Sequence, residues 1–150
     1  MRTGDIAPDF ELPDQDGRPR RLSALLERGP VVLFFYPAAL TAGCTAEAKH
    51  FRDLVPEFAA AGAQLVGVSR DPVARQQEFA VRNGFDFPLL SDSDGAVAAA
   101  YGVRRRLITP VRRVTFVIAR DGRVRDVIAS ELRMGLHADR ALQALGASST

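Results

Sequence analysis

Val31-Val32-Leu33-Phe34-Phe35-Tyr36 is an unbroken apolar run of β-branched and aromatic residues. Side chains on a strand point alternately to the two faces of its sheet, so such a run marks a strand covered on both sides. That one segment calls for an internal strand with helices packed above and below it. What flanks it supports this reading. Ala48, Phe51, Val55 and Phe58 recur at helical spacing on one face, with Pro56 set to kink or end the helix early. Gln64 to Ser69 reads as a second strand. Asp71-Pro72 reads as an N-cap followed by proline at the first helical position, opening a helix that stops near Asn83-Gly84.

Further on, Phe87 to Leu90 reads as a short core strand and Gly95 to Tyr101 as a small alanine-rich helix. Val114 to Ile118 and Val124 to Ser130 form two strands joined at Arg120-Asp121-Gly122-Arg123, a hairpin signal. Ala138 to Leu145 closes as a helix. Before the apolar run, Pro8 to Pro13 suits an edge strand. Asp14-Gln15-Asp16-Gly17 suits a hairpin turn leading to Arg20 through Leu22, and Ser23 suits the cap of a short helix through Leu26. Strands linked by helices are expected to be parallel and the late hairpin antiparallel. The predicted class is α/β: a mixed central sheet flanked by helices, in thioredoxin-like order, with an N-terminal β-hairpin extension.

Composition bounds the possibilities. At 150 residues, 47% hydrophobic and 25% charged, residues 1–150 are expected to form a single globular domain needing no staple. One cysteine excludes an internal disulfide, a CxxC pair and a thiolate zinc site. No apolar run approaches the ~20 residues of a membrane span, and Met1 to Asp5 lacks the apolar stretch of a secretory signal. A reducing cytoplasm, where a lone thiol stays a thiol, is the expected setting. The net charge of +2 is too small to call for a polyanion, although all the basic residues but Lys49 are arginine. Arg104, Arg105, Arg106, Arg112, Arg113, Arg120, Arg123 and Arg125 crowd one stretch with few aromatics among them, which speaks against nucleic-acid binding.

The chemistry concentrates in the segment from Tyr36 to Glu47. It follows the buried strand and leads into the amphipathic helix, which places Cys44 in the first helical turn. Unpartnered amide N–H groups and the positive end of the helix dipole gather there, and both favour thiolate over thiol. A lone cysteine also reads as a small buried hydrophobe, and on position alone the two readings stand level. Thr41 reads as an N-cap, Pro37 as a strand end and Arg113 as one more surface arginine. Glu47, near the helix start, suits the dipole and could complete a capping box in a supporting role. His50 and His137 lie outside this segment and read as surface or core residues.

Pro37-x-x-x-Thr41-x-x-Cys44 resembles the proline-threonine-cysteine signature of peroxiredoxins. The longer string to Ala48, with Phe51-Arg52-Asp53 beyond it, looks like the bacterioferritin comigratory (Q-type) subfamily. Gly4 to Phe10, Phe87 to Asp92, Tyr101-Gly102-Val103 and Arg113 to Ile118 are similar to further family segments, in the same order. The resemblance implies Cys44 as peroxidatic nucleophile and Thr41 as hydroxyl donor to thiolate or peroxide. It implies Arg113 as the cation that holds the sulfur and orients oxygen, and Pro37 as a shield against water. Many members carry a resolving cysteine five residues after the first, where this chain has Lys49. The resemblance therefore implies a one-cysteine cycle: Cys44 reaches sulfenic acid, and an external thiol completes the turnover. That thiol would come from a thioredoxin-like or glutaredoxin-like protein or a low-molecular-weight compound.

The expected activity is thiol-dependent reduction of hydrogen peroxide and small organic hydroperoxides, in antioxidant defence. No cofactor or metal is called for, because sulfur supplies the nucleophile. No nucleic-acid or membrane partner is expected, and the chain would act as monomer or homodimer. The alternative is a peroxide-responsive redox sensor that reacts once with little turnover. A thioredoxin-like disulfide reductase needs two thiols and is disfavoured, since Thr41 stands where the first would be.

Overall fold

The computed structural model describes residues 1–104, 111–129 and 134–148. A small antiparallel hairpin, β1 (Glu11–Pro13) and β2 (Pro19–Arg21), precedes α1 (Leu22–Leu26). Then follow β3 (Val31–Phe35), α2 (Ala42–Asp53), α3 (Val55–Ala60), β4 (Gln64–Ser69), α4 (Val73–Asn83) and β5 (Leu89–Ser91). The chain closes with α5 (Ala96–Ala100), β6 (Val114–Ile118), β7 (Val124–Ala129) and α6 (Met134–Ser148). The main sheet has the order β5-β4-β3-β6-β7. β3 pairs in parallel with β4, and β4 with β5; β3 pairs antiparallel with β6, and β6 with β7. This is the thioredoxin-like mixed sheet with its N-terminal hairpin.

The central run behaves as its composition requires. Val31, Leu33 and Phe35 enter a core with Leu22 and Leu25 of α1 and Val97 and Ala98 of α5. Val32, Phe34 and Tyr36 enter the opposite core with residues of α2, α3, α4 and α6. Gly67 lies opposite Phe34 in the β3–β4 register. A Cβ there would stand 2.9 Å from both the Phe34 ring and Leu89, so only glycine leaves room for the ring to lie across its neighbouring strand. Phe34 in turn stacks on Phe51 of α2, ring centroids 4.4 Å apart. That contact, worth about 0.5–1.5 kcal/mol beyond area burial, anchors the helix that carries the cysteine.

Several local expectations are corrected. Ser23 lies inside α1 and caps nothing; instead Asp9 reaches across and accepts the Ser23 N–H at 2.9 Å. The helix does break beside Pro56, as expected: α2 reaches its C-cap at Leu54 and Pro56 falls in the first turn of α3, but Val55, read as part of the shared apolar face, is exposed. The core strand after Pro88 is shifted to Leu89–Ser91, and the closing helix begins at Met134 rather than Ala138. The N-cap position of α4 belongs to Pro72 rather than Asp71, whose carboxylate is used elsewhere. Gly84 does end α4 in a left-handed conformation, φ 64°. Of the arginine-rich stretch, Arg105 and Arg106 lie outside the described residues, as does Ser130. Arg104, Arg112, Arg120, Arg123 and Arg125 are exposed, whereas Arg113 is buried.

Candidate active site

Cys44 is the third residue of α2, after Thr41 at the extended N-cap position. The first bond of the helix runs from the Thr45 N–H to the Thr41 carbonyl at 2.9 Å. The amides of Ala42, Gly43 and Cys44 precede it, so the thiol sits where the helix's partial positive charge collects. The residue is 2% exposed and shares a core cluster with Tyr36, Ala39, Ala48 and Phe51. The side chain is both buried and placed at a helix start, the two descriptions that position alone left open.

Strand register brings the cation. Val114 lies opposite Phe35 in the antiparallel β3–β6 pair, so Arg113 sits beside the end of β3 from which the chain departs toward Cys44. Alternation along β6 places Arg113, Thr115 and Val117 on the face that looks at α2 and α6. The Arg113 Nη2 lies 3.3 Å from the Cys44 sulfur, and the arginine is 5% exposed. A permanent cation in a low-dielectric setting stabilises negative charge on that sulfur far more than it would in water.

Behind the guanidinium stands a second buried layer. Glu47 follows Cys44 by three residues and occupies the same face of α2; its Oε1 is 3.4 Å from Arg113 Nη1. The other carboxylate oxygen is 3.6 Å from Nε2 of His137 on α6, whose Nδ1 is 2.8 Å from the Thr115 hydroxyl. Glu47 therefore completes no capping box: with Thr41 at the N-cap, the third helical position is Cys44, and Glu47 lies a turn further on.

The loop entering α2 is pinned from the side. The Ala39 N–H donates to Asp71 Oδ2 at 2.7 Å, and the Ser69 hydroxyl donates to the same oxygen at 2.6 Å. Arg75 bridges both partners, its Nε 3.4 Å from Asp71 Oδ1 and its Nη2 3.4 Å from the Ala39 carbonyl oxygen. Next to this clamp, Leu40 has φ 66°, the left-handed region that costs an L side chain about 1–2 kcal/mol. The Thr41 hydroxyl donates to the Ala38 carbonyl oxygen at 2.8 Å rather than capping the helix. Pro37 is half-buried and Lys49 exposed. Burial pushes the Tyr36 hydroxyl well above the ordinary tyrosine range, so it stays protonated and donates to Gln76.

Cys44, Arg113 and Glu47 are thus brought together, while Thr41 and Pro37 belong to the loop before them. His137, Thr115 and Asp71 escaped sequence reasoning. Asp71 looked like a helix cap because Pro72 follows it. A signal for His137 existed: with the helix extended backwards, it shares the buried stripe of Ala138, Ala141 and Leu145.

The AhpC/TSA family model matches residues 3–127. The chain is a peroxiredoxin of that family. It is 61% identical to peroxidoxin BcpB from Mycobacterium tuberculosis, whose crystal structure superposes with a TM-score of 0.95 over 98% of this chain and 97% of that one. Peroxiredoxin Bcp of Escherichia coli is 36% identical over 133 residues, 85% of each chain. The bacterioferritin comigratory protein of Xanthomonas campestris, whose structure was described for its alkyl peroxide reduction, matches at 32% identity and a TM-score of 0.90 over the whole of both chains. Within the family this chain falls in the bacterioferritin comigratory, Q-type group, with one cysteine. Thiol-dependent reduction of a peroxide, through a sulfenic acid and at the expense of an external thiol, is the activity of this peroxiredoxin. Among the described residues no helix is long and apolar enough to cross a membrane.

Proposed function

We propose that Cys44 is the peroxidatic nucleophile and that Arg113, Thr41 and Pro37 shape its reaction with hydrogen peroxide and small organic hydroperoxides. The observation that carries this reading is the buried sulfur 3.3 Å from a buried guanidinium. The thiolate attacks one peroxide oxygen, the S–O bond forms and the O–O bond breaks. The bonding pair leaves on the other oxygen, which takes a proton from solvent and departs as water or alcohol. Sulfur is oxidised by two electrons to sulfenic acid. Arg113 keeps its charge throughout, so one fork of donors serves the thiolate first and the separating oxygens next. Thr41 contributes after its hydroxyl turns from the Ala38 carbonyl toward the bound peroxide, and Pro37 limits water at the mouth. Glu47 supports from behind, holding the guanidinium in place. The alkyl peroxide reduction described for the Xanthomonas relative supports organic hydroperoxides as substrates here.

With Lys49 at the position where many relatives carry a second thiol, an incoming thiol attacks the sulfenic sulfur, water leaves, and a second equivalent releases Cys44 from the mixed disulfide. A thioredoxin-like or glutaredoxin-like protein or a low-molecular-weight thiol fits this step, acting in the cytoplasm on a single-domain monomer or homodimer. The deciding experiment follows peroxide consumption with a panel of reductants while mass spectrometry tracks Cys44. Sustained turnover with at least one thiol, abolished in Cys44→Ser, is expected. A single equivalent consumed whatever thiol is added would instead make the protein a one-shot sensor.

A further inference from the structure

We propose that Gln76, on α4, is a positioning residue for the peroxide step: it closes a ring of hydrogen bonds that fixes the segment from Tyr36 to Thr41 ahead of Cys44. The proposal rests on Cys44 being the reacting thiol and Thr41 a donor to its substrate. Gln76, Tyr36 and Ser69 are all buried, at 0%, 1% and 1% exposure. A primary amide in such a place is costly unless its donors and its carbonyl are met. Here both N–H groups and the carbonyl are met. Nε2 donates to the Leu90 carbonyl oxygen at 2.8 Å and to the Ser69 hydroxyl at 2.9 Å, while Oε1 accepts the Tyr36 hydroxyl.

Ser69 passes this order on. Its oxygen accepts from Gln76 and from the Asp71 N–H at 3.2 Å, and its own proton goes to Asp71 Oδ2 at 2.6 Å. The same carboxylate oxygen accepts the Ala39 N–H at 2.7 Å. The ring thus runs from Tyr36 through Gln76, Ser69 and Asp71 to Ala39, and returns along the chain through Ala38 and Pro37. Ser69 belongs to β4, Gln76 to α4 and the Leu90 carbonyl to β5. The loop before Cys44 is therefore referenced to rigid elements on its flank rather than to itself.

The ring ends on one peptide group. The Ala39 N–H held by Asp71 and the Ala38 carbonyl that accepts the Thr41 hydroxyl at 2.8 Å belong to the same planar unit. Fixing its N–H edge fixes its C=O edge, and with it the place from which the Thr41 hydroxyl starts. The strained backbone of Leu40, φ 66°, follows directly and persists only where its surroundings over-determine it. Without Gln76, Ser69 loses the donor that orients its hydroxyl, Tyr36 loses its acceptor, and the peptide plane can turn. Gln76 acts on the reaction through that plane.

Gln76→Met keeps the length of the side chain and removes all three hydrogen bonds. It is expected to slow reaction of the reduced protein with hydrogen peroxide by about thirtyfold, within the roughly hundredfold that about 1 Å of misplacement can cost. Alkylation of Cys44 by iodoacetamide needs the thiolate but no placed Thr41, and is expected to stay within about threefold of wild type or to rise. In a Thr41→Val background, Gln76→Met is expected to add less than about threefold, because the two changes act through one hydroxyl. Ser69→Ala removes only the central hydroxyl and covers the case in which Gln76→Met fails to fold; it is expected to slow the peroxide reaction by about tenfold. Ile118→Ala, at the other end of the sheet, controls for lost stability: a lower melt with a peroxide rate within about threefold of wild type is expected. A folded Gln76→Met or Ser69→Ala with the wild-type peroxide rate, peroxide and alkylation rates that fall together, or an undiminished effect in the Thr41→Val background overturns the proposal. Peroxide consumption persisting in Cys44→Ser, or a wild-type rate in Thr41→Val, would instead locate the failure in the roles given to Cys44 or Thr41.

Discussion

Replacing Arg113 by glutamine removes a charge while keeping amide donors of similar reach. At 3.3 Å a full charge interacts with the thiolate by about 5 kcal/mol if the effective dielectric is about 20. Glutamine and rearranged water recover part of this. The net loss is that of a hydrogen bond to a charged group, about 1.5–3 kcal/mol, or roughly 10- to 150-fold in rate. A second effect pushes the outcome to the upper end. Glu47, 3.4 Å from Arg113, keeps its carboxylate and now repels the thiolate from within the same buried pocket. We expect Arg113→Gln to react with hydrogen peroxide about a hundredfold more slowly in stopped-flow measurements of the reduced protein.

A second mutation at Glu47 acts in the opposite direction. Breaking a buried pair from one side is destabilising, because Glu47 then keeps its buried carboxylate without the guanidinium that stood 3.4 Å away. Arg113→Gln/Glu47→Gln is therefore expected to melt higher than Arg113→Gln and to regain part of the lost rate, although it is the more heavily altered protein. An Arg113→Gln rate within threefold of wild type, or a double variant slower and less stable than the single, would refute the electrostatic account of this pocket.

Asp71→Ala removes the acceptor that pins Ala39 and frees the loop holding Leu40 at φ 66°, so it should cost about 1.5–3 kcal/mol in denaturant melts and lower peroxide reactivity together. Thr41→Val should keep the fold, as judged by its melt, but slow the peroxide step by about a hundredfold through loss of a donor to the reacting oxygens. Gly67→Ala places a Cβ 2.9 Å from Phe34 and Leu89 and should destabilise by about 1–3 kcal/mol with no direct effect on the site. Burial tends to raise the Asp14 carboxyl, but the Arg20 guanidinium and the Asp16 and Arg18 amides outweigh it and hold the group below the usual aspartate range. Its folded-state value is depressed, so it contributes stability above about pH 4 that is lost as pH falls through that lower value. Asp14→Asn should flatten the acid end of a stability–pH curve and leave the neutral end parallel to wild type.

The scaffold was legible where one segment carries its own signal. The Val31–Tyr36 run announced a two-faced central strand, Gly84 the end of α4, and Asp121-Gly122 the late hairpin. Local signals misled where a polar side chain had a distant partner to choose instead. Ser23 looked like a cap until Asp9 took that role. Asp71 looked like one until the loop before Cys44 claimed its carboxylate. The buried pocket is harder still to read, because its members come from α2, the approach to β6, and α6. The antiparallel register of β3 with β6 brings Arg113 beside Cys44, and among the described arginines it is the one that is buried. Position alone left Cys44 between a reactive thiol and a buried hydrophobe, family resemblance supplied the roles expected of Cys44 and Arg113, and nothing local distinguished His137 from an ordinary core or surface histidine.

The central claim is tested most directly by mixing reduced protein with one equivalent of hydrogen peroxide, without added thiol, and trapping the product with a sulfenic-acid reagent. The account predicts one adduct per chain, located on Cys44, with matching loss of peroxide, and neither adduct nor loss in Cys44→Ser. Peroxide disappearing equally fast in Cys44→Ser, or a wild-type protein that leaves the oxidant untouched, would contradict it.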